Sequence, residues 1–171
     1  MTDVESRAAP TVPEWPGAFE RVLLGLGLAA CVGLFAFKIW LVHRLNFNWD
    51  EFLYLSQVHA LARGELHAVF QGAYAHLFEW LTSIDADEMG QIAAARLVML
   101  VLLGATAFMV WRLGRRWLEG FPSIIPPLVY LSTLPVLQHG GSFRSDSLLA
   151  PLAIAALLLI VGPRRARWRD A

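Results

Sequence analysis

The sequence predicts an all-α, polytopic membrane protein with four transmembrane helices. Of its 171 residues, 57% are hydrophobic and 16% are charged, whereas a soluble domain carries about 25% charge. The mean hydropathy is +0.51. The apolar residues also gather into four runs whose lengths approach what a hydrocarbon core of about 30 Å requires at about 1.5 Å per helical residue. Formal net charge is zero, so no bulk attraction to nucleic acid follows. The single cysteine, Cys31, excludes an intrachain disulfide and reads as a small core residue.

The first span covers about 22–42 and is broken only by Lys38, expected to snorkel from its outward end. A net-acidic tail over 1–20 precedes it and no Ala-x-Ala exit follows, so it reads as a retained anchor rather than a cleaved signal. The second span, 91–112, holds Arg96 near its start. The third, 121–138, contains Pro122, Pro126, Pro127 and Pro135. Proline removes backbone donors, so this span is expected to be kinked or broken and packed inside a bundle. The fourth, 146–161, has Pro151 in its opening turns and leads into a basic tail over 162–171.

Basic residues in short loops set the orientation. Arg112, Arg115 and Arg116 follow the second span, and Arg164, Arg165, Arg167 and Arg169 follow the fourth. Placing both groups in the cytoplasm turns the loop 43–90 outward, together with the short connection before the fourth span. All five histidines (His43, His59, His67, His76 and His139) then fall on the outer half, as do Asp50-Glu51 and Ser142-Phe143-Arg144-Ser145-Asp146. The outer loop is long for an unstructured connection. It predicts two short amphipathic helices lying at the membrane interface. One starts near Asn48, carries Phe52, Leu55, His59 and Ala62 on one face, and stops at Gly64; the other covers roughly 73–81. Asp85 with Glu88 fits a capping box opening the second span.

Asp50-Glu51 is the main chemical candidate and has three readings. Helix-start electrostatics in a solvated loop is the plainest. A metal or acid–base site is the second, since carboxylates hold hard divalent ions and take protons from hydroxyls. An ion path is the third, although such acids normally lie within the span. Neighbours on a helix point about 100° apart, so the two acids are expected to do different jobs. Arg144 is a candidate for phosphate, because a guanidinium matches phosphate oxygens bidentately. Asp146 or Ser145 can instead cap the fourth span, and Arg144 and Asp146, two apart, do not face each other well on one helix. Arg96, about a turn inside its span, is expected either to snorkel or to reach a lipid phosphate or Asp50. The histidines form no metal-binding pattern, and His139, beside Gly140-Gly141, is the one nearest Arg144 in sequence.

Trp49-Asp50-Glu51-Phe52-x-Tyr54 after a first membrane helix resembles the acidic motif of polytopic glycosyltransferases of the C-type fold, closest to the protein O-mannosyltransferase and aminoarabinose-transferase group. Ala94-Ala95-Arg96-Leu97 resembles that group's arginine near the second helix start, and Ser142-Phe143-Arg144-Ser145-Asp146 its polar motif opening the fourth. The resemblance runs from about residue 20 to 161. It implies transfer of a sugar from a polyprenyl- or dolichyl-phosphate carrier to an acceptor outside the cytoplasm, in the plasma membrane. On that basis Asp50 is the catalytic carboxylate, acting as base toward the acceptor hydroxyl or helping to hold a divalent metal, and Glu51 is its supporting neighbour. Arg96 and Arg144 contact the carrier phosphate, and Tyr54, His139 and Asp146 are secondary candidates. Members of the group carry many more membrane helices, so this chain is expected to be a fragment or one part of a split enzyme. The alternatives are a non-catalytic four-helix membrane protein or partner subunit, and a small transporter.

Overall fold

A computed structural model of the chain describes residues 17–44, 46–66 and 72–161. Helices and the turns joining them make up these residues, with no strand among them. Two helices are long and apolar enough to cross a membrane: α1, Gly17–Val42, and α4, Glu88–Gly114. Their 26 and 27 residues extend about 39 and about 40 Å. Only 11% of the apolar window of α1 and 39% of that of α4 is buried. A core helix of a soluble protein is mostly buried, whereas these two turn most of their apolar surface outward.

Between them lies α2, Trp49–Ala62, then α3, Gly72–Leu77, and a 3-10 turn, Glu79–Ser83. Gly64 ends α2 as expected, with φ of +69° in the left-handed region that glycine adopts without a steric penalty. The interfacial helix expected over 73–81 is thus split into α3 and the 3-10 turn. The face of α2 that is buried is Glu51, Leu55 and Val58, rather than the stripe ending at Ala62, because α2 packs on α4 and on the 79–83 turn. Asp87, not Asp85, caps α4. Its carboxylate accepts the Gly90 N–H at 2.8 Å, since α4 begins at Glu88 and the cap must directly precede it.

The third apolar segment is broken into a 3-10 turn, Phe121–Ile124, then α5, Ile125–Ser132, and α6, Leu134–His139. Its prolines do not bend one helix from within. They sit in the first turns of these pieces, where a missing N–H has no intrahelical acceptor to lose. Thr133, extended at φ −65° and ψ 140°, separates α5 from α6. The last helix, α7, Asp146–Val161, has 16 residues, or about 24 Å. It packs mainly on α4, while α1 packs on α5 and the 121–124 turn. The cysteine, Cys31, is free and half-buried.

Candidate functional site

The site forms where α1 ends and α2, α4 and α7 begin. Asn48 is extended, and α2 starts at the next residue. Glu51 therefore stands in the first turn, where its carboxylate reaches back to accept the Asn48 N–H at 2.9 Å. Its neighbour Asp50 points elsewhere, as the rotation between adjacent helical positions requires. The two acids have separate partners and separate surroundings.

Glu51 is 0% exposed. Both its oxygens meet Arg96: Nε to Oε1 at 2.8 Å and Nη2 to Oε2 at 2.5 Å. The Phe143 N–H adds a bond to Oε1 at 2.8 Å. Arg96 also donates to the carbonyls of Val42 at 2.8 Å and Asn46 at 3.2 Å, and its guanidinium lies 4.5 Å from the Phe47 ring centroid. One buried ion pair thus joins the end of α1, the start of α2, the body of α4 and the segment before α7. Burial acts to raise the Glu51 carboxyl. The hydrogen bonds from Arg96, Asn48 and Phe143 and the Arg96 charge outweigh it and hold the group below its ordinary range. Arg96, expected to snorkel or to reach a phosphate or Asp50, instead points inward, because a bidentate carboxylate and backbone carbonyls are within reach.

Asp50 is 42% exposed at its side chain and accepts Arg144 Nη1 at 2.8 Å. Arg144 also faces Asp146, Nη2 to Oδ2, at 3.4 Å. The two meet despite their spacing because Arg144 lies in the turn before α7, not on the helix. Arg144 Nε is buried with no hydrogen-bond partner among the described residues. Beside this group the Tyr54 hydroxyl and Ser145 Oγ are 2.9 Å apart.

Aromatic packing holds the 142–146 segment in place. Phe143 is fully buried, and its ring centroid lies 4.9 Å from that of Phe78, 5.4 Å from Tyr74 and 6.3 Å from Tyr54. Tyr74 and Phe143 did not stand out as site residues in the sequence; the only signal was aromatic spacing within loops. The buried Tyr74 hydroxyl has no partner among the described residues. Its pKa is pushed up by burial first, then by Tyr54 and Glu51.

Lys38 is 2% exposed and does not snorkel. Its Nζ donates to the Leu137 carbonyl at 2.7 Å, an acceptor that the short α6 leaves open at its end. A cavity of about 540 Å³ lies under the Glu51–Arg96 pair, lined also by Asn46, Asn48, Gln138, His139 and Ser142. His139 is thus near the buried pair rather than in the Asp50–Arg144 group. A separate cleft of about 670 Å³ on the other side of α2 includes Trp49, Ser56, Asp87 and Gln91 but not Asp50. There His59 Nε2 and Gln91 Oε1 are 2.8 Å apart. His67 and the arginines at 164, 165, 167 and 169 lie outside the described residues.

A divalent ion at Asp50 does not fit this donor set. The other carboxylate that meets Arg144, Asp146, shares that guanidinium with Asp50, so a positive charge already stands where a cation would bind and would repel it. Among the described residues no cluster of three or more His, Cys, Asp or Glu side chains is placed to hold a metal. The arrangement offers instead a carboxylate base partly open to solvent, a guanidinium that can meet an anion, and two hydroxyls at its border. Comparison with protein-family models, with curated proteins and with solved structures gives no match to this chain.

Proposed function

We propose that this chain is the membrane-embedded catalytic part of a glycosyltransferase that moves a sugar from a polyprenyl-phosphate carrier to an acceptor hydroxyl on the non-cytoplasmic side. The observation that carries the reading is the division of labour between adjacent acids. Glu51 is buried on Arg96 and holds four segments together, which leaves Asp50 part-exposed beside Arg144. In this reading α1, α4, the broken 121–139 segment and α7 all cross the plasma membrane, and the site lies at its outer face.

The chemistry follows from the residues present. Asp50 takes the proton from the acceptor hydroxyl as the acceptor oxygen forms its bond to the anomeric carbon. The bond from that carbon to the phosphate oxygen breaks, and the phosphate leaves with the electron pair. Arg144 shifts toward the leaving phosphate and neutralises its growing charge. That shift also frees Asp50 from its ion pair at the moment it must act as a base. Glu51 and Arg96 fix the frame and take no part in proton transfer.

The decisive test is Asp50→Asn in membranes carrying the full reading frame that contains this chain, supplied with radiolabelled polyprenyl-phosphate sugar. Transfer is expected to fall by at least about a hundredfold, in line with loss of a positioned base, at unchanged protein abundance. Undiminished transfer removes Asp50 from the reaction. A non-catalytic membrane subunit is the second reading, favoured by the fact that Arg144 already meets the Asp50 charge. It predicts that Asp50→Asn and Arg144→Gln alter only folding or abundance.

A further inference from the structure

At the opposite end of the molecule from Asp50, α1, α4 and α5 enclose an apolar groove of about 410 Å³. Its walls include Leu24, Leu28 and Cys31 from α1, Ala107 and Trp111 from α4, and Leu131 from α5. From Leu24 to Cys31 it follows α1 for about 10 Å. Almost no polar surface lines it. Its α4 wall ends at Trp111, and the Arg115 guanidinium lies over that ring at 5.2 Å from the centroid. Arg112 and Arg116 flank Arg115 in sequence. Arg116 Nη1 is buried and has no hydrogen-bond partner among the described residues. Glu20, the acid nearest this end on α1, is directed at the Phe121 N–H at 3.2 Å.

We propose that this groove is a binding site for an anionic phospholipid, with an acyl chain lying between Leu24 and Leu131 and the headgroup phosphate held by Arg115 and Arg116. Charge complementarity and depth together select this occupant. Arg115 over the Trp111 ring that ends the apolar slot, with Arg116 next to it in sequence, suits a headgroup and its chain together, and no polar group inside the slot suits a soluble anion. Trp111 at the boundary gives the amphipathic ring that belongs at headgroup level. The inference rests on the membrane placement of α1 and α4 and not on sugar transfer.

The test is native mass spectrometry of the detergent-purified chain with phosphatidylglycerol and with phosphatidylcholine of the same acyl chains. One phosphatidylglycerol is expected to stay bound under conditions that strip phosphatidylcholine. Each membrane-surface arginine is worth about fivefold in affinity, so Arg115→Ala with Arg116→Ala should weaken phosphatidylglycerol about thirtyfold and leave phosphatidylcholine unchanged. Ala107→Trp fills the groove and should weaken both lipids. If that variant fails to fold, Leu28→Trp on the exposed α1 wall gives the same readout. Equal retention of the two lipids by the wild type, or a preference that survives loss of both arginines, overturns the site. Extraction of the chain from membranes by alkaline carbonate overturns the membrane placement instead.

Discussion

Arg96 is a buried cation whose guanidinium is matched to one carboxylate and to backbone carbonyls. Removing one member of such a pair leaves the other charged and dry, which costs about 3–5 kcal/mol. Arg96→Met is therefore expected to destabilise the chain by that order in denaturant titrations in detergent. The double variant Arg96→Met with Glu51→Gln should recover part of the loss. Glutamine carries no charge to strand, and its single carbonyl still accepts one of the two amides, Asn48 or Phe143, that meet separate oxygens of Glu51; the recovery is partial because the other amide loses its acceptor. The same pair predicts a pH dependence. Glu51 has a folded pKa below its ordinary value of 4.5, so its contribution is fully present above that value and is lost as pH falls through the folded one. Thermal melts should show the wild type losing stability below about pH 4.5, with Glu51→Gln flatter over the same window. Asp50 and Glu51 were legible in the sequence as unequal partners, because the helical rotation between neighbours is fixed. That Arg96 belongs to Glu51 was not legible, since the choice depends on how α2 leans on α4.

At the scale of elements, the site depends on docking the 142–146 segment against α2 and α3. Phe143 does this with its side chain among Tyr54, Tyr74 and Phe78 and with its backbone on Glu51. Phe143→Ala is expected to cost about 3–5 kcal/mol. It should also lower sugar transfer more than the loss of folded protein accounts for, because Arg144 follows Phe143 directly. Transfer that falls only in step with folded protein would show that the segment's position does not matter. Lys38 plays a similar part on the other side. Lys38→Met leaves the Leu137 carbonyl without its partner and should cost about 1–3 kcal/mol. The proline content correctly marked the 121–138 segment as broken. It did not reveal that the end of α6 gives Lys38 an acceptor at Leu137, because pairing residues 99 apart in sequence is a tertiary fact. The cap of α4 was displaced for a smaller reason. Asp85, Asp87 and Glu88 all suit a helix start, and the start of α4 at Glu88 selects Asp87.

At the scale of the whole molecule, everything proposed for Asp50 depends on which face of the membrane it occupies. The sequence supplied two arginine groups for that choice. The one at 112, 115 and 116 begins in the last turn of α4 and runs just past its end, remote from Asp50. If the cytoplasm holds those arginines, the residues before α4 lie outside, and a carrier phosphate flipped to the outer leaflet can meet Arg144. The prediction is tested with single cysteines in a Cys31→Ser background. Ser83 is exposed in the turn before α4, and Glu119 is exposed in the turn after it. An impermeant maleimide applied to intact cells is expected to label Ser83→Cys and to label Glu119→Cys only after permeabilisation. The reverse pattern would place Asp50 in the cytoplasm, where an outer-leaflet donor cannot reach it, and the transfer reading would fall while the fold stood unchanged. Labelling of both in intact cells would mean that α4 does not cross, and the lipid site at Arg115 would lose its basis along with the enzyme.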